Sequence, residues 1–167
     1  MLVNNLKDIE DEIGIVINCA GLTEHGYFME LNPYSFLDAS NVNFYSMYAI
    51  NKKLIPRLRE RAHKSAIINV SSCTGRFNSF YLGVYPTLKR MADIYSRTLS
   101  LENKGKIDII SSCPFGVTTK MINNKKGPMI ITPEDCVKST LGDLGRSDIT
   151  YTGFKHKVMA IIFENSS

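Results

Sequence analysis

The chain has 167 residues, 44% of them hydrophobic and 22% charged, which suits one soluble domain with room for a core. Its net charge of +4 falls in small clusters, "NKK" at 51–53, "RLRERAHK" at 57–64 and "NNKKG" at 123–127. None is interleaved with aromatics, so they read as a solvated face rather than a nucleic-acid stripe. There is no run of about 18 apolar residues to span a membrane, and "MLVNNLKDIEDEIG" reads as neither a signal nor a transit peptide.

In chain order, the first element is "IGIVIN" at 13–18, a continuous β-branched run that predicts a strand buried on both faces. A long helical pattern follows at 32–62, with Phe36, Leu37, Val42, Met47, Leu54, Ile55 and Leu58 near helical spacing. Asn32 and Pro33 supply a cap and a first turn, and Pro56 is expected to kink its end. "AIINV" at 66–70 predicts a second strand. The segment 86–102 predicts a helix with Leu88, Met91, Ala92, Tyr95 and Leu99 on one stripe and Pro86 in its first turn. "IDIISS" at 107–112 is a third strand, and "TPEDCVKSTLGDLG" at 132–145 is a helix opened by Thr132, Pro133 and Glu134. "DITYTG" at 148–153 alternates and suits an edge strand.

This alternation is that of an α/β layer with a parallel sheet and right-handed crossovers, in a single domain over 1–167. Ligands on such sheets bind beyond the carboxyl ends of the strands. There the chain places "NCAG" (18–21), "SSCTG" (71–75) and "SCPFGVTTKM" (112–121), small or polar segments containing glycine. "GPMIITPED" (127–135) reads as a lid segment.

Cys19, Cys73, Cys113 and Cys136 form no C-x-x-C pair and have no histidine at ligand spacing, which argues against zinc. The first three end apolar runs, as small buried thiols do in a reducing compartment. The glycosylation triplets at Asn69 and Asn165 are discounted, one for its strand and one for its place at the chain end.

Tyr85 and Lys89 stand one helical turn apart, thirteen residues after Ser72. The plain reading is a phenol capping the core and a lysine in water. The chemical reading is a proton donor and the cation that tunes it. A free phenol has a pKa near ~10, and a neighbouring ammonium lowers it. A phenol so placed can exchange a proton with a carbonyl or alcohol oxygen, with the Ser72 hydroxyl as a second donor.

Together, "NCAG", "INVSS", "VYPTLK" and "CPFGVTTKM" resemble the short-chain dehydrogenase/reductase family. More finely, these segments, "NVNFYSMYAINKKLIPRLRER" and "TPEDCVKSTLGDLGRSDITYTGFKH" are similar to the microsomal 3-oxoacyl-CoA reductases and related 17-beta-hydroxysteroid dehydrogenases. The resemblance implies a Rossmann-like doubly wound parallel sheet, here its carboxyl-terminal part. It implies reduction of a 3-oxoacyl-CoA or steroid ketone with NADP(H), or with NAD(H). By the same resemblance Ser72 holds the substrate oxygen, Tyr85 donates the proton, and Lys89 binds the nicotinamide ribose and lowers the phenol pKa. Asn43 anchors a relay water. Asn18, Ala20 and Gly21 pass the adenosine-side ribose, while Pro114, Val117 and Thr119 flank the nicotinamide. A homodimer through the helices at 34–62 and 86–102 and an endoplasmic reticulum location are implied as well. The chain taken alone reads as cytoplasmic.

The family's glycine-rich turn, T-G-x-x-x-G-x-G, which cradles the cofactor pyrophosphate, does not occur in the sequence. At ~30 residues per βαβ unit, roughly two units and a membrane anchor are expected ahead of Met1. "IGIVIN" would then form an exposed, uncharged edge. The other readings are a serine hydrolase, which lacks G-x-S-x-G and a partnered histidine, and a catalytically inactive fragment serving as a dimerising module. The missing glycine turn favours the module, and the intact Ser72, Tyr85 and Lys89 set opposes it.

Overall fold

The computed structural model describes residues 9–164. Most of the amino-terminal segment read as polar, and the Asn165 triplet, lie outside the described residues. Strands β1 (Ile15–Asn18), β2 (Ser65–Val70), β3 (Ile107–Ser112) and β6 (Ile149–Thr150) form one parallel sheet in the order β1-β2-β3-β6. The helices α1 (Ser35–Ser40) and α2 (Ser46–Glu60) join β1 to β2, and α3 (Tyr85–Glu102) joins β2 to β3. Helix α4 (Pro133–Asp143) precedes β6, and α5 (Phe154–Glu164) follows it. This is the expected parallel α/β layer.

The core forms where apolar helix stripes meet the β-branched strands. Val16, Ile67, Ile107 and Ile109 pack with Leu54 and Leu58 of α2, and burial of each such side chain is worth about 1.5–3 kcal/mol. Leu88 and Ala92 of α3 are also buried. Met91, expected on the same stripe, is exposed instead, because it lies roughly 130° round the helix from the middle of the buried face formed by Leu88, Lys89, Ala92, Asp93 and Ser96.

The long helix at 32–62 is interrupted, but not by Pro56, which lies inside α2 without ending it. Pro56 is exposed, where water can satisfy the Lys52 carbonyl left without a donor. The irregularity is a π turn at Asn41–Tyr45, where Ser46 N–H donates to Asn41 O, five residues back. The extra residue turns α1 relative to α2, so Phe36 and Leu37 miss the core and lie exposed.

Two features had no sequence signal, a pair of short strands and a last helix. Strands β4 (Gly116–Val117) and β5 (Ile130–Ile131) pair in parallel and tie the loop after β3 to the lid segment. Helix α5 is the other. No helix among the described residues is long and apolar enough to cross a membrane.

Candidate active site

The carboxyl ends of β1, β2 and β3 open onto a cavity of about 560 Å³, and Ser72, Tyr85, Lys89, Gly21, Pro114, Val117 and Thr119 all border it. Each arrives by a separate local device. Ser72 caps a 3₁₀ turn, Cys73–Arg76, and accepts from the Thr74 backbone N–H at 3.2 Å and the Thr74 hydroxyl at 2.9 Å. Its own proton has the Pro114 carbonyl at 3.5 Å, a weak partner that an entering oxygen can replace. Tyr85 and Lys89 share the first turns of α3, with Pro86 fitting the start as expected.

Lys89 is only 2% exposed. Its ammonium donates to the Val70 carbonyl at 2.9 Å and sits 5.6 Å from the centroid of the Tyr85 ring. Burial pulls its pKa down to about 8, partly offset by the nearby Cys19 and Cys113 thiols. Burial also raises the Tyr85 phenol above its ordinary value, and Ser72 offsets part of that rise. The lowering expected from Lys89 is therefore not the net direction here. Both groups leave water together, and the ammonium faces the ring rather than standing as a solvated charge beside the oxygen.

Asn18, Ala20 and Asn43 border an adjoining cavity of about 140 Å³ instead. Cys19 borders both spaces and is exposed, not buried as its apolar run suggested. Asn43 lies in the π turn and grips the loop after β1. Its amide donates to Leu22 O at 2.8 Å and Ala39 O at 2.9 Å, and its oxygen accepts from Leu22 N–H at 3.2 Å. The Asn18 amide turns inward, donating to Asn51 Oδ1 at 2.9 Å and Asn69 Oδ1 at 2.8 Å.

A nicotinamide–ribose group fits the residues present. A Cβ built on Gly21 would stand 3.7 Å from Lys89 Nζ, 3.6 Å from Asn43 Oδ1 and 3.4 Å from Met121 Cε, so this glycine keeps open a space facing the ammonium. The sequence contains no glycine-rich phosphate turn, so these residues account for the nicotinamide side of such a cofactor and not for its pyrophosphate.

Sequence reasoning missed Asn51 and Asn69, which with Asn18 form a buried amide cluster joining β1, β2 and α2. The signal was there: an amide inside a β-branched strand needs partners. It also missed Cys136 of α4 on the cavity wall, and the ion pair between Arg76 and Asp93 at 2.7 Å, buried just outside it.

Comparison with known proteins follows the same lines. The short chain dehydrogenase family model matches residues 1–129. A very-long-chain 3-oxoacyl-CoA reductase-A from Danio rerio is 36% identical over 154 residues, covering 89% of this chain and 48% of that protein. The Homo sapiens very-long-chain 3-oxoacyl-CoA reductase is 29% identical over 160 residues, 92% of this chain and 51% of the relative. The chain thus spans about half the length of the curated relatives it matches. Among solved structures, a Burkholderia cenocepacia short chain dehydrogenase in complex with NADP aligns with TM-score 0.82 at 22% identity, over 96% of this chain and 69% of that one. A Sphingobium yanoikuyae short-chain dehydrogenase in complex with NADPH gives TM-score 0.80 at 20% identity, over 98% and 68% of the two chains.

Proposed function

Because this chain belongs to the short chain dehydrogenase family, we propose that it carries the substrate half of an NADP(H)-dependent carbonyl reductase whose substrate is a 3-oxoacyl thioester, with a steroid ketone as the other candidate. The observation that most supports this reading is the convergence of Ser72, Tyr85 and Lys89 on one cavity beside Gly21. The reductase names of the relatives and the NADP and NADPH bound to the structural neighbours point the same way.

The chemistry follows from the side chains. The ketone oxygen takes hydrogen bonds from the Ser72 hydroxyl and the Tyr85 phenol. The bound dinucleotide would supply the hydride to the carbonyl carbon. Tyr85, with its raised pKa, holds its proton at neutral pH and can pass it to the oxygen as negative charge develops there. Lys89, which borders the cavity, then faces the phenolate as a buried cation, and its ammonium would also bind a ribose hydroxyl. Gly21, Pro114, Val117 and Thr119 would hold the nicotinamide side, with Asn18 and Ala20 behind them. A relay water at Asn43 would have to use an acceptor, because both amide N–H bonds are taken. The proposal extends to a homodimer through 34–62 and 86–102, and to an endoplasmic reticulum location.

The test is made in two steps. NADPH titrated against the protein should raise its unfolding temperature, by about 2.7 kcal/mol of stabilisation at a hundred times Kd. Tyr85→Phe should then lower reduction of a 3-oxoacyl thioester by ~10²–10⁴-fold while leaving NADPH affinity nearly unchanged. No thermal response at millimolar NADPH, or full turnover by Tyr85→Phe, would overturn the reading.

A further inference from the structure

We infer that Gly75 and the Arg76–Asp93 ion pair are positioning residues for this site: they seat the turn carrying Ser72 on the helix carrying Tyr85 and Lys89, and so set the spacing and dryness of the three groups. The inference rests on the reductase reading for its chemistry and on independent geometry for its mechanism.

Gly75 lies where the 3₁₀ turn meets α3 backbone to backbone. A Cβ there would fall 2.6 Å from the Arg90 nitrogen and 2.9 Å from the Lys89 carbonyl carbon, distances real Cβ atoms do not show. Neither atom belongs to a flexible side chain, so any larger residue has to push the turn off the helix. Ser71, just before Ser72, donates to the Lys89 carbonyl at 2.5 Å and joins the same junction.

One residue further on, Arg76 Nη1 meets Asp93 Oδ2 at 2.7 Å. Asp93 is 1% exposed and stands two helical turns past Tyr85, on the line through Lys89. Its other oxygen accepts from Ser111 of β3 at 2.8 Å, so one carboxylate ties turn, helix and strand together. Neither Arg76 nor Asp93 borders the main cavity, so they act on it through Ser72 and Lys89. A buried carboxylate with a charged, hydrogen-bonded partner is a rigid joint, and removing the Arg76 fork leaves Asp93 the Ser111 hydroxyl and the more distant Arg90, at 3.7 Å, to hold it.

The Lys89 ammonium reports on this seating, because its depressed pKa comes from exclusion of water. The groups facing it are Tyr85 on its own helix, Cys19 from the loop after β1 and Cys113 at the end of β3. None of them is itself substituted below; Asp93 and Arg76 both act on Cys113, whereas Gly75→Ala moves the turn with no change of charge, which makes it the cleanest arm.

The experiment follows Lys89 by NMR of the side-chain carbon next to its nitrogen, from pH 6 to 11, with Lys89→Met to assign the signal. Gly75→Ala and Asp93→Asn should each raise the Lys89 midpoint by at least one pH unit toward the ordinary lysine value. Arg76→Lys, which keeps the charge but not the fork, should raise it less than Arg76→Gln does. Should Asp93→Asn fail to fold, the Arg76 pair alone decides. Asp148→Asn removes the Arg97–Asp148 pair at the far end of α3 and should leave the midpoint unchanged. A midpoint unmoved by Gly75→Ala and Arg76→Gln, or moved equally by Asp148→Asn, would overturn the inference. Failure of the reductase reading appears separately, as a wild-type chain with a depressed Lys89 midpoint and no response to NADPH.

Discussion

Lys89 is the costliest residue of the site. A shift from its ordinary value of 10.5 to about 8 amounts to roughly 3 kcal/mol spent on keeping its charge out of water. The sign follows from proton binding. Between about pH 8 and 10.5 the unfolded chain holds a proton on Lys89 that the folded chain has released, so folding gains stability as pH rises through that window. Lys89→Met, which fills the space without charge, should therefore stabilise the fold at pH 7. Losing the bond to Val70 offsets about 1 kcal/mol of that gain, leaving a net of about 1–2 kcal/mol, read from urea unfolding; a less stable variant would mean the charge is compensated elsewhere. The same value sets the rate profile. On the proposed mechanism the reduction uses the ammonium form, so kcat/KM should fall as pH rises through about 8. A profile flat to pH 10 would detach Lys89 from the chemistry. The trio was legible in the sequence because Tyr85 and Lys89 lie a helical turn apart and Ser72 ends a strand. The direction of the phenol shift was not, since burial is set by tertiary packing that spacing does not encode.

The π turn at Asn41–Tyr45 governs how the loop after β1 is held. A regular helix would carry Asn43 about 100° further round and away from Leu22. With the extra residue, the amide meets both Leu22 backbone groups and the Ala39 carbonyl. Asn43→Ala leaves the part-buried Leu22 N–H and carbonyl without their side-chain partner and should cost about 1–2 kcal/mol by urea unfolding. The Leu22 amide should exchange with deuterium faster, while amides in β3 keep their protection. Equal loss of protection throughout the sheet would show that Asn43 supports the fold generally rather than this loop. The three long strands, α3 and α4 were readable from β-branched runs, apolar stripes and the Thr132 cap, which accepts from Asp135 N–H at 3.1 Å. The π turn was not, because it leaves the residue types unchanged and shifts only which of them face inward, as exposed Phe36 and Leu37 record. Strands β4 and β5 escaped for another reason. At two residues each they have no periodicity to detect, and they exist because the loops they join are brought together by β3 and α4.

Across the sheet, burial is uneven. Strand β2 is flanked by β1 and β3, whereas β1 pairs with β2 alone among the described residues. Its exposure alternates, and Ile15 is 58% exposed. A β-branched edge with no charge invites a second strand, the hazard that natural sheets blunt with lysine or proline. In the chain of these 167 residues this edge should drive self-association. Ile15→Lys places a charge on the exposed side without touching either cavity lining. It should lower light scattering at a given concentration and raise the monomer fraction in sedimentation, with the Lys89 titration unmoved. If Ile15→Lys instead leaves association unchanged while charge reversal on the face of 34–62 and 86–102 abolishes it, the helical face and not the sheet edge holds the copies together. The two surfaces lie on different elements, so one pair of variants separates an aggregation-prone edge from a specific dimer.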